Sequence, residues 1–142
     1  MAKAADYAMT NGSNDVPGVR LGLPVSGRGS VAGWGRRFLG LLVDWIVASL
    51  IARAFLVDAL GTQIAPLAVF FVMHVLLVST LGMSLGHAAT GIIVRRLGGG
   101  VVGFGRGIPR TILLILVIPA VITDPDRRGL HDRASDTIVV RR

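Results

Sequence analysis

The sequence contains no cysteine, and this absence excludes several kinds of chemistry. Without thiols the chain has no disulfide framework, no thiolate metal site and no cysteine nucleophile. Its basic side chains are nearly all arginine, because Lys3 is the only lysine. The first thirty or so residues also lack the apolar stretch of a cleaved secretory signal. We therefore expect the first hydrophobic segment to serve as an uncleaved targeting signal.

Hydrophobic residues are abundant: they make up 52% of the 142 residues, and the mean hydropathy is +0.68. This is too apolar for an ordinary soluble surface, so the composition favours an integral membrane protein. The length allows one small domain. The formal net charge is +7, but no nucleic-acid recognition pattern accompanies it, so nucleic acid is not an expected partner.

Three apolar segments divide the chain, at about 38–57, 64–81 and 108–122. The first has about twenty residues, enough for a helix that spans a bilayer. A short polar turn separates it from the second, which predicts an antiparallel transmembrane hairpin. The third is shorter and contains Pro109, Arg110 and Pro119, so we expect a short third helix that is tilted, re-entrant or interfacial.

The remaining segments complete the predicted fold. Residues 1–32 are polar and rich in glycine, which predicts a disordered tail, and 33–142 form the membrane domain. Two β-prone runs, near 91–95 and 136–140, are expected to pair as a small cytoplasmic β-ribbon. The predicted class is therefore an all-α membrane protein, with a helical hairpin, a short third apolar helix and this ribbon.

Arginine placement predicts the orientation of the spans. The amino-terminal flank and the central 82–107 segment are basic, whereas the 58–63 connection has neither lysine nor arginine. The positive-inside rule then places the amino terminus and the central segment in the cytoplasm. The carboxyl tail is also rich in arginine, although a full third crossing would place it outside. We favour a cytoplasmic tail and a third segment that does not fully cross.

Asp44 is the most informative single residue. It lies about six residues into the first span, roughly 9 Å below the interface by helical rise. An ionised carboxylate there costs on the order of 3 kcal/mol unless it is paired, so it should face protein. Small residues repeat around it at Gly40, Ala48 and Ala52, a pattern that allows close helix packing. Asp44 is either an ion or proton site or a structural clamp paired to arginine; we favour the clamp.

His74 lies at the middle of the second span. It is interpreted either as a packing histidine, which we favour, or as part of a proton relay with Asp44 across the hairpin. Gly82 and Gly86 have the spacing of a helix-packing motif or a helix stop. Acids and histidine in the tail alternate with arginines and are interpreted as local ion pairs. We expect no metal, no cofactor and no catalytic constellation, hence no enzyme.

Taken together, these motifs resemble the RDD family of small membrane proteins, named for one arginine and two aspartates. Arg37 and Asp44 in RRFLGLLVDW match the first pair, and Asp132 in GLHDRASDTIVV matches the second aspartate. Arg110 matches a frequent family arginine. The central stretch GMSLGHAATGIIVRR resembles the family pattern GxTxGKxxxGxxVV, with serine in place of threonine and His87 in place of lysine. The resemblance covers about residues 33–140.

The resemblance implies a multi-pass protein of the bacterial plasma membrane. Most family members have no established activity; some have been proposed as cation/proton antiporters, and others occur fused to or beside larger membrane assemblies. An accessory or assembly component is the leading expectation, because a transport pathway needs several packed helices, which an oligomer would have to supply. The alternative is a cation/proton antiporter with Asp44 as ion site and Arg37 as its charge partner. Expected partners are the bilayer, anionic lipid headgroups, and other membrane proteins or further copies of the chain.

Electrostatics predicts where these charged residues meet. Unpaired charges at the membrane are costly, so Arg37, Asp44, Arg110 and Asp132 are expected to converge near the cytoplasmic interface.

Overall fold

The protein is described here by a computed structural model, which covers residues 16–116 and 122–142. These residues are mostly helical, with two long apolar helices and one small two-stranded sheet. This confirms the predicted helical composition and the predicted ribbon. In chain order the elements are α1 (Trp34–Phe55), α2 (Val57–Leu81), α3 (Leu85–Thr90), β1 (Ile92–Arg96), α4 (Phe104–Ile115), α5 (Leu130–Ala134) and β2 (Thr137–Arg141).

Helices α1 and α2 form the predicted antiparallel hairpin. The ring centroids of Trp45 and Phe70 lie 5.9 Å apart, and Asp44, one residue earlier on α1, lies 3.7 Å from His74, four residues later on α2. Residues earlier on α1 therefore contact residues later on α2, so the two helices run in opposite directions. The polar turn expected at 58–63 is replaced by a nearly direct connection, in which Leu56 leaves the helical conformation with φ −126° and Gly61 leaves it with φ +81°. Glycine has no Cβ and reaches this conformation without strain, so the helix resumes at once.

Both long helices have the length and hydropathy of a membrane span. Within their most apolar windows only 22% of α1 and 33% of α2 is buried. The core helix of a soluble protein passes the same length test but buries most of its apolar surface. Here large apolar side chains such as Phe38, Leu50 and Val72 remain exposed. The two helices are thus apolar on the faces that the rest of the described chain does not cover.

Small residues allow α1 to approach the segment after the hairpin. Gly40, Asp44, Ala48 and Ala52 form the predicted buried stripe. A Cβ on Gly86 would lie 1.8 Å from the carbonyl oxygen of Gly40, so only glycine fits there. Glycine also ends α2, where Gly82 adopts the left-handed conformation with φ +73°. Packing and helix stop, the two alternatives for this motif, are both realised at different glycines.

The sheet brings together three distant parts of the chain. Strands β1 and β2 are antiparallel, with Ile92 opposite Arg141 and Arg96 opposite Thr137. Val31 forms a bridge to Val140 on the other edge of β2. The segment before α1, the central segment and the carboxyl tail therefore meet in one small sheet. Its apolar side contributes to a core whose members are Ala32, Val78, Ile92, Val94, Val102 and Val139.

The third apolar segment differs in extent from the prediction. Helix α4 begins at Phe104, before the predicted start at residue 108, because Gly103 adopts φ +74° and its N–H donates to the Ser79 carbonyl oxygen. The helix ends at Ile115, and residues 117–121 of the predicted 108–122 segment lie outside the described residues. A Cβ on Gly107 would lie 1.9 Å from Ser79 Oγ, so α4 packs tightly on the end of α2.

The segment 16–32 also differs from the disordered tail expected for 1–32. A 3₁₀ turn covers Val19–Leu21, and the N–H of Ala32 donates to Val139 at 2.9 Å. The low apolar content of this segment predicted disorder. Its backbone is instead held by hydrogen bonds to β2, which composition does not reveal. Residues 1–15 of the predicted tail lie outside the described part of the chain.

Candidate functional site

Asp132 lies fully buried between two arginines from distant parts of the chain. Arg37 Nη1 donates to its Oδ2 atom at 3.1 Å, and Arg110 Nε donates to its Oδ1 atom at 3.0 Å. His131 Nε2 lies 3.4 Å from the same Oδ1 atom. Asp132 is 0% exposed and Arg110 is 2% exposed. We call Arg37, Asp132 and Arg110 the arginine–aspartate clamp.

The clamp joins three helices and the sheet. Arg37 comes from the first turn of α1, Arg110 from α4 and Asp132 from α5. Arg37 also donates to two carbonyl oxygens, from Nε to Ala32 at 3.2 Å and from Nη2 to Val139 at 3.4 Å. One guanidinium therefore holds α5, β2 and the chain before α1 together. All three nitrogens of the planar guanidinium donate, which is characteristic of buried arginine.

The electrostatics of the clamp keep Asp132 ionised. Burial raises the pKa of a carboxyl, but Arg110, His131 and Arg37 together outweigh that effect and hold the pKa of Asp132 below its usual range. The clamp then contains two guanidinium groups and one carboxylate. Its formal charge is one unit positive, in a place that water barely reaches.

Asp44 is paired with neither arginine of the clamp, which corrects the expectation that Arg37 is its charge partner. Its Oδ2 atom accepts a short hydrogen bond from Ser84 Oγ, and its Oδ1 atom accepts one from the Gly86 N–H at 2.7 Å. Arg37, expected as its charge partner, pairs with Asp132 instead. A carboxylate at the start of a helix satisfies amide groups that have no intrahelical partner. Asp44 therefore fastens α1 to the amino end of α3.

His74 lies beside Asp44, as the relay hypothesis required. Its Nδ1 atom is 3.7 Å from Asp44 Oδ2, which is longer than a hydrogen bond. The ring stacks on Phe70 at 5.0 Å and meets the edge of His87 at 5.4 Å. Among the described residues neither ring nitrogen of His74 has a hydrogen-bond partner. The packing and relay interpretations of this histidine thus both retain a structural basis.

His87 was noted in the sequence only as a departure from the family pattern. Its Nδ1 atom accepts from the Ser84 N–H at 3.3 Å, and its own N–H donates to Ser84 Oγ at 3.2 Å. Burial, reinforced by the positive charge of Arg110, lowers the pKa of His87 to about 3. The ring is therefore neutral at pH 7. Because Nδ1 accepts, the proton is on Nε2.

A groove of about 520 Å³ runs beside the clamp. Its sides are formed by apolar residues of α1 and α4, among them Leu41 and Leu114, and Phe70 contributes from α2. The side chains of Trp34 and Trp45 line it as well and are 45% and 43% exposed. Four polar residues complete the lining: Arg37, His87, Arg110 and His131. The groove is therefore apolar along most of its length and cationic next to the clamp.

The predicted site residues thus belong to two neighbouring groups. Arg37, Arg110 and Asp132 form ion pairs with one another, whereas Asp44 and His74 lie in a polar group with Ser84 and His87, which lines the same groove as the clamp. The serine and histidine form a capping box, and their three-residue spacing was a readable signal in the sequence. His131 was assigned to local ion pairs, and nothing in the sequence indicates that it lines a groove.

No cluster of three or more histidine, cysteine or acidic side chains is arranged to hold a metal ion within residues 16–116 and 122–142. Comparison with known proteins adds no further assignment, since no family model, curated protein or solved structure matches the chain.

Proposed function

We propose that the chain is a small RDD-type protein of the bacterial plasma membrane that acts as an accessory or assembly component of a membrane complex. The observation that carries the proposal is the contrast between its charged and apolar surfaces. The clamp charges are used internally to hold α1, α4 and α5, while α1 and α2 leave most of their apolar surface uncovered. Lipid and the helices of a partner are the environments that such faces fit.

The sheet supports one orientation for this protein. Val31, β1 and β2 pair with one another, so the chain before α1, the central segment and the carboxyl tail lie on the same side of any bilayer. Helix α4 is roughly 18 Å long by helical rise, short of the ~30 Å hydrocarbon thickness. These features support a cytoplasmic tail and a third segment that enters the membrane without crossing it.

The test of the accessory role is purification at native expression in a mild detergent. We expect a fixed membrane partner to copurify at constant stoichiometry through two orthogonal columns, and the purified protein alone to move no ions in proteoliposomes. Proton-coupled cation flux by the purified protein, with no partner retained, would overturn the accessory role.

A second candidate function, cation/proton antiport, is favoured by one specific arrangement. His74 lies 3.7 Å from Asp44, its ring centroid lies 5.4 Å from that of His87, and His87 lines the groove. Such a series can pass a proton if small movements close the gaps.

Matched aspartate variants decide between these functions. Asp58→Asn is the control, because Asp58 is exposed where α2 begins. If antiport is correct, Asp44→Asn abolishes flux and Asp58→Asn leaves it unchanged, while both proteins elute as folded species. Equal and negligible flux from wild type and both variants would reject antiport.

A further inference from the structure

The groove beside the clamp combines two features that point to a ligand. One is a long apolar channel whose rim is exposed, with Phe38 at 66% exposure. The other is Arg110, which lines the groove, is 2% exposed, and has no hydrogen-bond partner for Nη1 among the described residues. A buried guanidinium nitrogen without a partner is costly, so such a donor is expected to meet an acceptor that the chain does not supply.

The charge of the clamp defines that acceptor as an anion. Arg37 and Arg110 share the single carboxylate of Asp132, which leaves one positive charge unbalanced. The other nearby carboxylate, that of Asp44, accepts from Ser84 and Gly86. His87 is neutral and carries its proton on Nε2, so it can also donate. Arginine is well suited to phosphate, because its planar fork matches two oxygens at once.

The length of the groove defines the rest of the ligand. From Trp34 to Trp45 the lining extends along α1 for roughly 16 Å by helical rise. This is about half of the ~30 Å hydrocarbon thickness, the depth of one leaflet. A ligand with a phosphate at one end and a single hydrocarbon chain of one-leaflet length matches both the cationic end and the apolar walls.

We propose that this groove binds an anionic phospholipid, with its phosphate against Arg110 and one acyl chain between α1 and α4. The proposal rests on the membrane location proposed above and goes beyond it. Most lipid contacts of a membrane protein are exchangeable and indifferent to the headgroup. This site instead selects the charge of the lipid and holds its chain in a defined place.

The two tryptophans of the chain, Trp34 and Trp45, make the test direct, because both line the groove. The protein is reconstituted in phosphatidylcholine bilayers that contain a small, equal fraction of either phosphatidylglycerol or phosphatidylcholine with brominated acyl chains, and tryptophan quenching is measured. We expect brominated phosphatidylglycerol to be preferred about fivefold, the factor that corresponds to one arginine near an anionic headgroup.

Three variants locate the effect. Arg110→Gln is expected to remove the preference for phosphatidylglycerol. Leu67→Phe narrows the groove without touching the clamp and is expected to reduce quenching by the anionic lipid. Leu76→Phe is its matched control on the same helix, since Leu76 is similarly exposed and does not line the groove. If Arg110→Gln fails to fold, the comparison of Leu67→Phe with Leu76→Phe still shows whether the anionic lipid lies in the groove.

Several outcomes would overturn the proposal. Equal quenching by the two brominated lipids in folded wild-type protein would mean ordinary surrounding lipid. Loss of the preference on adding inorganic phosphate would indicate a site for free anions. Quenching that disappears as the protein dimerises would assign the groove to a second copy. If the protein is instead released from membranes by alkaline carbonate, the membrane location itself fails, which is a separate result.

Discussion

At the scale of single residues, the main feature is the buried clamp, in which the two arginines share the single carboxylate of Asp132. Asp132 accepts from both Arg37 and Arg110 and is shielded from water. Removing the carboxylate leaves two guanidinium groups without their counter-charge, which is far more costly than losing an exposed ion pair. Even a substitution that keeps the shape of Asp132 and removes only its charge is therefore expected to destabilise the protein.

The first prediction is that Asp132→Asn destabilises the protein by about 3–5 kcal/mol. Asp136→Asn makes the same chemical change four residues away on an exposed side chain, and we expect it to leave stability unchanged. Thermal unfolding of both variants in detergent, followed by circular dichroism, measures the difference. Equal unfolding temperatures for the two would show that the clamp contributes little.

The second prediction concerns pH and His87. Its pKa is about 3 in the folded protein, against about 6.5 in an unfolded chain, so the unfolded state binds a proton first. As far as His87 is concerned, the free energy of unfolding has its full value above pH 6.5. It falls by up to about 1.4 kcal/mol per pH unit as the pH drops toward 3. Asp132 adds a further loss of stability as the pH falls into the usual aspartate range and below it, because the unfolded carboxyl takes up a proton there while the pKa of the folded one is lowered.

His87→Asn tests this assignment, since the asparagine oxygen replaces the Nδ1 acceptor without a titrating ring. Unfolding temperatures of the variant between pH 7 and pH 4.5 should depend less steeply on pH than those of the wild type. Parallel curves for the two proteins would assign the acid sensitivity to another group.

At the scale of elements, the helices and strands that the sequence predicted are those with a signal inside one continuous segment. Apolar length identified α1 and α2, and β-prone runs identified β1 and β2, because these signals lie within one segment. The partner of Asp44 did not follow, since a spacing of two turns from Arg37 suggested a pair along one helix. In the structure Arg37 turns toward α5, and the amino end of α3 satisfies Asp44. Which partner a charged side chain meets depends on how distant segments pack, and a single sequence does not show that packing.

The third prediction is that Gly86→Ala separates α1 from α3. Its Cβ would lie 1.8 Å from the carbonyl oxygen of Gly40, so backbone must move, at a cost of about 1–3 kcal/mol. Gly35→Ala is the control within α1, because a Cβ there meets nothing within 4 Å and removes a flexible helical glycine. We expect a lower unfolding temperature for the first and an unchanged or raised one for the second. The reverse order would contradict the close approach.

At the scale of the whole molecule, the fold combines an apolar hairpin with a polar cap built from its two flanks. The sheet, the clamp and the capped α3 lie at the end of the hairpin where α1 begins and α2 ends. The far end, around Gly61, is a short connection. This polarity fits a protein with one face in the cytoplasm and its apolar faces against lipid or partner helices.

The membrane topology of the hairpin is the central claim, and the absence of cysteine makes it directly measurable. Single cysteines are introduced at exposed positions as Thr62→Cys, Gly98→Cys and Arg142→Cys and treated with a membrane-impermeant maleimide. In spheroplasts we predict labelling of the first variant alone, with the other two labelled only after the membrane is opened. Labelling of position 98 or 142 in intact spheroplasts, or recovery of the protein in the soluble fraction, would contradict the account.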